Sequence, residues 1–446
     1  MNVDNPTRSR DNLLESGLDG KSDIAASLSN GKLQYFLSLF LGLLAPLTYS
    51  LMLSGDTVSF MMLANQTYLS CVIAISIGFI VFRKMAAMPG LKELSSILPA
   101  FCLSYGIVAA LYFGFRLDIS RVGYVLSMGT VCSVLLALQY SVSQLHRPTI
   151  GIIMGGRAET LIKQKQIKWR PLYSIADAKK RPNLAIAVDL RSDSLSPEWE
   201  SYIAEEVVQG RNIFNAKQLN ESITGQVQLE NLSENYVGML SPDVIYASTK
   251  RYFDVLVALV GLVCLSPLML ITALLIRMDS PGAAIFKQQR MGFQGRPFVV
   301  YKFRSMQSLT AEEIASAKEN TALDMTGEND PRITKLGRIL RKTRIDEIPQ
   351  LLNVLKGEMS LIGPRPETLN LSQWYEEEIP FYRYRHIVRP GITGWAQVNQ
   401  GHVTSVEDVR EKMKYDLYYI KHFSIWLDFV ILIQTIKIVF THKGAK

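Results

Sequence analysis

The groups in this chain best suited to chemistry lie between Lys287 and Arg389. Cations recur there with few acids to pair them, in FKQQRMG, YKFRSM, NDPRIT, KLGRILRKTRIDEIPQLLNVLKGEMSLIGPRPE and RHIVRPGITGWAQVN. Lys302, Arg304, Arg341, Arg344, Arg365 and Arg389 suit an anionic substrate, arginine through forked hydrogen bonds and lysine as a point charge. Lys335, Arg338 and Lys342 suit a solvated or membrane-facing basic surface equally well. Within this run stands an acidic pair, Asp346 and Glu347. On a helix adjacent side chains point ~100° apart, so the two acids are not placed to share one proton. One can attack while the other holds a metal. Plain helix capping is the bland alternative for such a pair.

The element that must carry the pair is a short helix over IPQLLNVLKG. Asp346 suits its N-cap, Pro349 its first turn, and Gly357 the position after its last turn, while Leu351, Leu352 and Leu355 supply an apolar face. A carboxylate at that terminus, close to Arg341 and Arg344, is expected to stay ionised, which favours a nucleophile over a proton donor.

Upstream, four apolar blocks run over 33–53, 60–82, 97–115 and 122–142, each long enough for the ~20 residues of a spanning helix. Arg8, Arg10, Lys21 and Lys32 precede the first, and Arg83, Lys84 and Lys92 follow the second, whereas the loop between them holds Asp56 and no positive charge. Both ends of the four-helix region are therefore expected in the cytoplasm, with Arg116 and Arg121 dissenting. Residues 1–32 are polar and read as a disordered tail. From about Arg147 to Tyr246 strand-like TIGIIMGG, helical AETLIKQKQI and strand-like NLAIAVDL suggest a small α/β domain. Its glycines Gly151, Gly155 and Gly156 do not fit a dinucleotide fingerprint, so a Rossmann-like spacer or dimerisation unit is expected.

A fifth apolar block, 252–277, has Lys250 and Arg251 before it and Arg277, Lys287 and Arg290 after it. Positive charge on both sides, and Ser266-Pro267 near the middle, point to a bent, re-entrant helix that returns to the cytoplasmic face. The serine hydroxyl would satisfy a carbonyl freed by the proline. A kinked spanning helix is the competing reading.

The net charge of +8 and the membrane segments favour lipid and phosphate as partners over nucleic acid. Cys71, Cys102, Cys132 and Cys264 all sit in apolar blocks with no CxxC or Cys/His cluster, and read as packing residues.

The runs SPLMLITALLIR, YKFRSM, RIDEIPQLLNVLKGEMSLIGPRPE and VRPGITGWAQVN closely resemble the bacterial polyprenyl-phosphate phosphoglycosyl transferases, the monotopic superfamily of initiating sugar transferases. The match spans about Lys250 to the C-terminus, and the four preceding spans with the α/β domain resemble the family's long subgroup. The resemblance implies a membrane α plus α/β fold divided into a 1–32 tail, four transmembrane helices at 33–145, an α/β accessory domain at 146–247 and a mostly helical catalytic domain at 248–446. It implies transfer of hexose-1-phosphate from a UDP-hexose to undecaprenyl phosphate with release of UMP, at the inner membrane, in exopolysaccharide, capsule or O-antigen synthesis. By motif position it makes Asp346 the nucleophile and Glu347 its partner at Mg2+. Lys302, Arg304, Arg341, Arg365 and Arg389 are expected at the substrate, and Ser266-Pro267 at the membrane helix break. The sequence leaves the hexose open, with glucose and galactose favoured, and leaves open whether the chain forms a homodimer. A glycosyltransferase moving sugar without phosphate would carry a DxD motif, which is absent; a membrane scaffold would not need the acidic pair.

Overall fold

The computed structural model describes residues 27–53, 57–86, 93–145, 149–165, 167–192, 194–227, 242–307, 332–400 and 405–441. Most of the expected N-terminal tail lies outside them, as do Asp56, Lys92 and the first half of NDPRIT. The chain divides into two compact units, Met1–Thr224 and Gly225–Lys446. That boundary falls upstream of the one read from sequence at 247.

The first unit opens with helices α1 (Gly31–Leu53), α2 (Thr57–Ala86), α3 (Glu93–Gly114) and α4 (Arg121–Leu145), covering the four apolar blocks. Within the last three, Gln66–Ala86, Ser96–Gly114 and Arg121–Ser143 are long and apolar enough to cross a membrane. In α1, Gln34 is fully buried and pairs with Gln139 of α4. Tyr35 bonds Ser76 at 2.9 Å and Tyr105 bonds Ser127 at 2.8 Å, so side-chain polarity is spent between helices, as apolar surroundings demand. All four cysteines are free.

Strands β1 (Thr149–Ile153), β2 (Lys168–Leu172), β3 (Ile186–Val188) and β4 (Ile213–Asn215) form one parallel sheet in the order β2-β1-β3-β4. Helices α5 (Ala158–Leu161), α6 (Ile175–Lys179), α7 (Pro197–Val208) and α8 (Ala216–Thr224) complete it, with one apolar cluster built by α6 and α7 and another by α5 and α8. β2, which the sequence analysis does not anticipate, carries Pro171, and as an edge strand it tolerates the missing N–H. The glycine turn after β1 is closed. A Cβ on Gly155 would stand 2.3 Å from Ser194 Oγ and one on Gly156 2.6 Å from Asp189 Oδ2, while that carboxylate accepts from Arg157 N–H at 2.9 Å. An internal carboxylate thus occupies the place where a ligand phosphate would sit at the mouth of such a sheet.

The second unit begins with one 36-residue helix, α9 (Val244–Asp279), which is long and apolar enough to cross a membrane and has Pro267 inside it. Proline at 267 leaves the carbonyl of Val263 without its helical donor, and Ser266 Oγ donates to that carbonyl at 2.7 Å. The hairpin of β5 (Ile285–Met291) and β6 (Pro297–Phe303) follows, then α10 (Lys335–Thr343), a 3-10 turn (Ile345–Gln350) and α11 (Leu351–Lys356). Beyond them come β7 (Ser360–Ile362), α12 (Leu369–Glu378), a second 3-10 turn (Tyr382–Ile387), β8 (Gly391–Thr393), α13 (Trp395–Asn399), α14 (Val406–Lys421) and α15 (Ile425–Thr441). Strands β7 and β8 pair in parallel.

Both ends of α9 are held by this one unit. Near its start Lys250 is buried and pairs with Asp428 of α15 at 2.5 Å, and Arg251 donates to the carbonyls of Val354 and Leu355. Ala258 joins the core of Phe298, Val300, Val354 and Met359. Near its end Ile276 packs with Ala284, Phe303 and Leu340. Between and beside these contacts Leu256, Leu259, Val260, Val263, Leu270 and Leu274 are exposed.

Candidate active site

The acidic pair is placed by β6 through α11. One edge of β6 pairs with β5; on the other, Asn353 substitutes for a strand, accepting from Tyr301 N–H at 3.0 Å and donating to Val299 O at 2.6 Å. Leu351 and Leu355 pack behind it on Phe298, Val300 and Val354, each such side chain contributing about 1.5–3 kcal/mol if fully buried. The turn that carries the pair is thereby fixed beside Lys302 on the same strand.

Asp346 does not cap a helix. The N-cap position belongs to Arg344, which makes no side-chain cap bond and takes a left-handed conformation (φ 61°) where α10 ends and the turn begins. With no extended residue between the two elements, the acids fall inside the turn instead of before it. A non-glycine residue in that region costs of order 1–3 kcal/mol and persists where the surroundings hold it, often at functional sites.

The two carboxylates differ although both are buried. Glu347 Oε1 accepts from Arg365 at 2.9 Å and Lys302 at 3.4 Å, and Arg344 stands 3.7 Å away. Burial alone would raise its pKa, but Arg365, Lys302 and Arg344 hold it far below the usual carboxylate range. Asp346 Oδ1 is sealed from solvent with no hydrogen-bond partner among the described residues. Burial, then the charge of Glu347, push its carboxyl up to about 6 against the pull of the same cations. Lys302 is pushed down to about 8 by burial, with Arg365 and Arg290 adding to the effect against Glu347.

Arg365 reaches Glu347 from the loop after β7. Gly363 begins that loop where two backbones cross: a Cβ on it would lie 2.3 Å from Arg389 O, and one on Gly391 2.1 Å from Gly363 N. Arg385 donates to Arg365 O at 2.9 Å and Arg290 to Pro366 O at 2.5 Å. Arg385 is itself held by Asp416 at 2.9 Å and Tyr382 at 2.5 Å, and Glu367 by Lys412. Burial would raise the pKa of half-buried Glu367, but Lys412, Arg385 and Arg290 bring it down to about 2.

Of the residues singled out from sequence, Asp346, Glu347, Lys302 and Arg365 come together, joined by Arg344. Arg341 lies in the last turn of α10, half-buried, with no side-chain partner among the described residues. The Arg304 guanidinium is committed elsewhere, donating to Pro281 O at 2.8 Å, Ser280 O at 2.7 Å and Ile276 O at 3.4 Å, so it caps the end of α9. Arg389 donates to Gly357 O at 3.0 Å and lies over Phe293, at the opposite end of α11 from the acids. Sequence reasoning passed over Asn353, Arg385, Glu367 and Asp416. Asn353, amid the apolar residues of a short helix, was the legible signal, since a buried amide must find partners.

Among the described residues no three His, Cys, Asp or Glu side chains gather at one point. The pair still fits Mg2+, which takes one or two carboxylates and leaves its other positions to phosphate and water; the unpartnered Asp346 Oδ1 is the observation that favours it.

The family model for bacterial sugar transferases matches residues 245–442. The chain is 39% identical over 375 residues to the UDP-N-acetylgalactosamine-undecaprenyl-phosphate N-acetylgalactosaminephosphotransferase of Aeromonas hydrophila, covering 82% of this chain and 85% of that protein. It is 39% identical over 198 residues to the UDP-glucose:undecaprenyl-phosphate glucose-1-phosphate transferase of Escherichia coli K12, covering 44% of this chain and 41% of that protein. The exopolysaccharide production protein PSS of Rhizobium leguminosarum bv. phaseoli is 43% identical over 192 residues, 42% of this chain and 92% of that protein.

Proposed function

This membrane protein belongs to the bacterial sugar transferases that act on undecaprenyl phosphate, and from that premise we propose that it moves a hexose-1-phosphate from a UDP-hexose to undecaprenyl phosphate through a phospho-sugar ester on Asp346. The observation that carries the assignment is the asymmetry of the acidic pair. Glu347 has its charge saturated by Arg365, Lys302 and Arg344, which makes it a poor nucleophile. Asp346 keeps a carboxylate with a raised pKa and an unpartnered oxygen, so its electron pair is the more available one.

In the first half-reaction an Asp346 oxygen attacks the sugar-linked phosphorus, the bond to UMP breaks, and UMP leaves with its phosphate charge. In the second, an oxygen of undecaprenyl phosphate attacks the same phosphorus and Asp346 departs as carboxylate. Transfer of this kind rests on position and charge neutralisation. Lys302, Arg344 and Arg365 lie close enough to the pair to orient and neutralise the diphosphate. Mg2+, held by Glu347 beside the nucleophile, would supply further neutralisation of that charge.

Substrate access follows from α9. Its two ends bind the same compact unit while its middle exposes apolar side chains, which supports a helix that enters and leaves on the cytoplasmic face of the inner membrane. Of the charges flanking it, Lys250, Arg251 and Arg290 are bonded inside the unit and Arg277 and Lys287 remain exposed, so the anchoring contacts carry this reading further than the charge count. The long relative is an N-acetylgalactosaminephosphotransferase, which supports testing N-acetylhexosamines beside glucose and galactose as donors. Purified protein with Mg2+, undecaprenyl phosphate and a panel of UDP-sugars tests the function: release of UMP matched to lipid-linked sugar supports it, and release of UDP, or of neither nucleotide, refutes it.

A further inference from the structure

Trp395 is fully buried, stacks on Tyr418 with ring centroids 5.8 Å apart, and donates its indole N–H to Gly225 O at 2.8 Å. Gly225 holds φ +66°, and a Cβ there would stand 2.9 Å from Trp395 Cζ2, so both its conformation and its neighbour demand glycine. The next residues continue the attachment. Gln226 Nε2 donates to Glu411 Oε2 at 3.4 Å, and Val227, fully buried, donates its N–H to Lys414 O at 3.0 Å. Three residues that directly follow α8, well before the membrane helix, are therefore bonded to α13 and α14, and the reaction described above uses none of them.

Both attachments lead to Arg365. Trp395 follows Gly394, packed so closely that a Cβ on it would lie 2.2 Å from Gly363 O, and Gly363 N–H donates to Thr393 O at 2.9 Å. Gly363 opens the loop that presents Arg365. Along α14, Lys412 and Asp416 lie on either side of Lys414 in sequence; they hold Glu367 and Arg385, and Arg385 grips Arg365 O.

We propose that Gly225–Val227 is a positioning strap that fixes the Arg365 loop from behind, so that the transferase site is complete only with residues contributed from upstream of its membrane helix. The inference rests on the function proposed above only in taking Arg365 as a phosphate ligand. It is tested in the full chain with Trp395→Phe, which keeps the stacked ring and removes the N–H, and with Val227→Pro, which removes the donor to Lys414 and serves if the first variant folds poorly. One lost neutral hydrogen bond should raise KM for the UDP-sugar roughly five-fold with kcat little changed. Amide hydrogen exchange over residues 360–368 should quicken, a readout that needs no turnover and so decides the strap even if no UDP-sugar proves to be a substrate. Unchanged exchange there in both variants overturns the proposal, as does faster exchange with unchanged KM. A loss of kcat in step with a lowered melting temperature, with exchange raised throughout the unit, also overturns it, because that is the mark of mere structural support.

Discussion

The two ends of the segment 345–356 are both crowded with arginine, to opposite effect. At the start, Arg365 and Arg344 with Lys302 converge on a carboxylate, and under the proposed function their remaining donors serve the substrate. At the finish, Arg251 and Arg389 donate to the carbonyls of Val354, Leu355 and Gly357, completing a helix end that would otherwise leave these acceptors without an intrahelical donor. What separates a substrate-binding arginine from a structural one is whether its donors are already spent, and that is a property of the fold.

The sharpest way to break this contrast is to remove the nucleophile. Asp346→Asn should lower kcat by about a thousandfold or more without lowering the melting temperature at neutral pH, because the amide fills the same space and no capping bond is lost. Near-normal turnover in a folded variant would return the pair to a structural role. Next comes the arginine comparison itself. Arg365→Ala removes a charged hydrogen bond on the Glu347 side, for which a loss of roughly 10- to 150-fold in kcat/KM is expected. Arg389→Ala should chiefly lower thermal stability, and equal effects of the two on kcat/KM would erase the distinction drawn here.

The pH response should separate activity from stability. With its pKa at about 6, Asp346 becomes protonated as pH falls from 8 to 5, and activity should fall with it. The unfolded aspartate titrates near ~3.9, so through that window the folded state binds the proton more readily and this group adds stability as pH falls. Glu347 has the opposite sign: its depressed pKa contributes stability that is full above the ordinary carboxylate range and is lost only at lower pH. Thermal midpoints of the unmutated protein and Asp346→Asn between pH 8 and 5 check this, since the variant should lack the gain. The smallest effect is expected at Arg304→Gln, which loses its bonds to the end of α9: a drop of about 1–3 kcal/mol in stability, read by denaturant unfolding, with kcat/KM nearly unchanged.

Sequence carried the local chemistry further than the assignments within it. Hydrophobic runs marked the helices α1 to α4 and α9, and Gly357 marked the end of α11, because burial and left-handed backbone leave direct signatures in residue type. The Ser266 hydroxyl on the carbonyl freed by Pro267 was legible for the same reason. Arg304 and Arg365, by contrast, are alike in sequence, each set in a basic motif, and differ only in which distant backbone meets them. Asp346 reads as a cap where a helix is expected to begin cleanly; the 3-10 turn instead follows directly from α10, which ends at Thr343 with Arg344 as the cap shared by both elements. The unit boundary at Gly225 has no local signature, since the residue is bonded to Trp395, 170 positions away in sequence.

Under the proposed function Asp346 bears the sugar phosphate between the two half-reactions. Unmutated protein incubated with Mg2+ and its UDP-sugar in the absence of undecaprenyl phosphate, then acid-quenched and digested, should yield a peptide containing Asp346 heavier by one hexose-phosphate (or N-acetylhexosamine-phosphate) group. That mass should disappear when undecaprenyl phosphate is added before the quench. An adduct mapped to Glu347 or any other residue, or turnover that proceeds with no adduct at any time, would contradict the account.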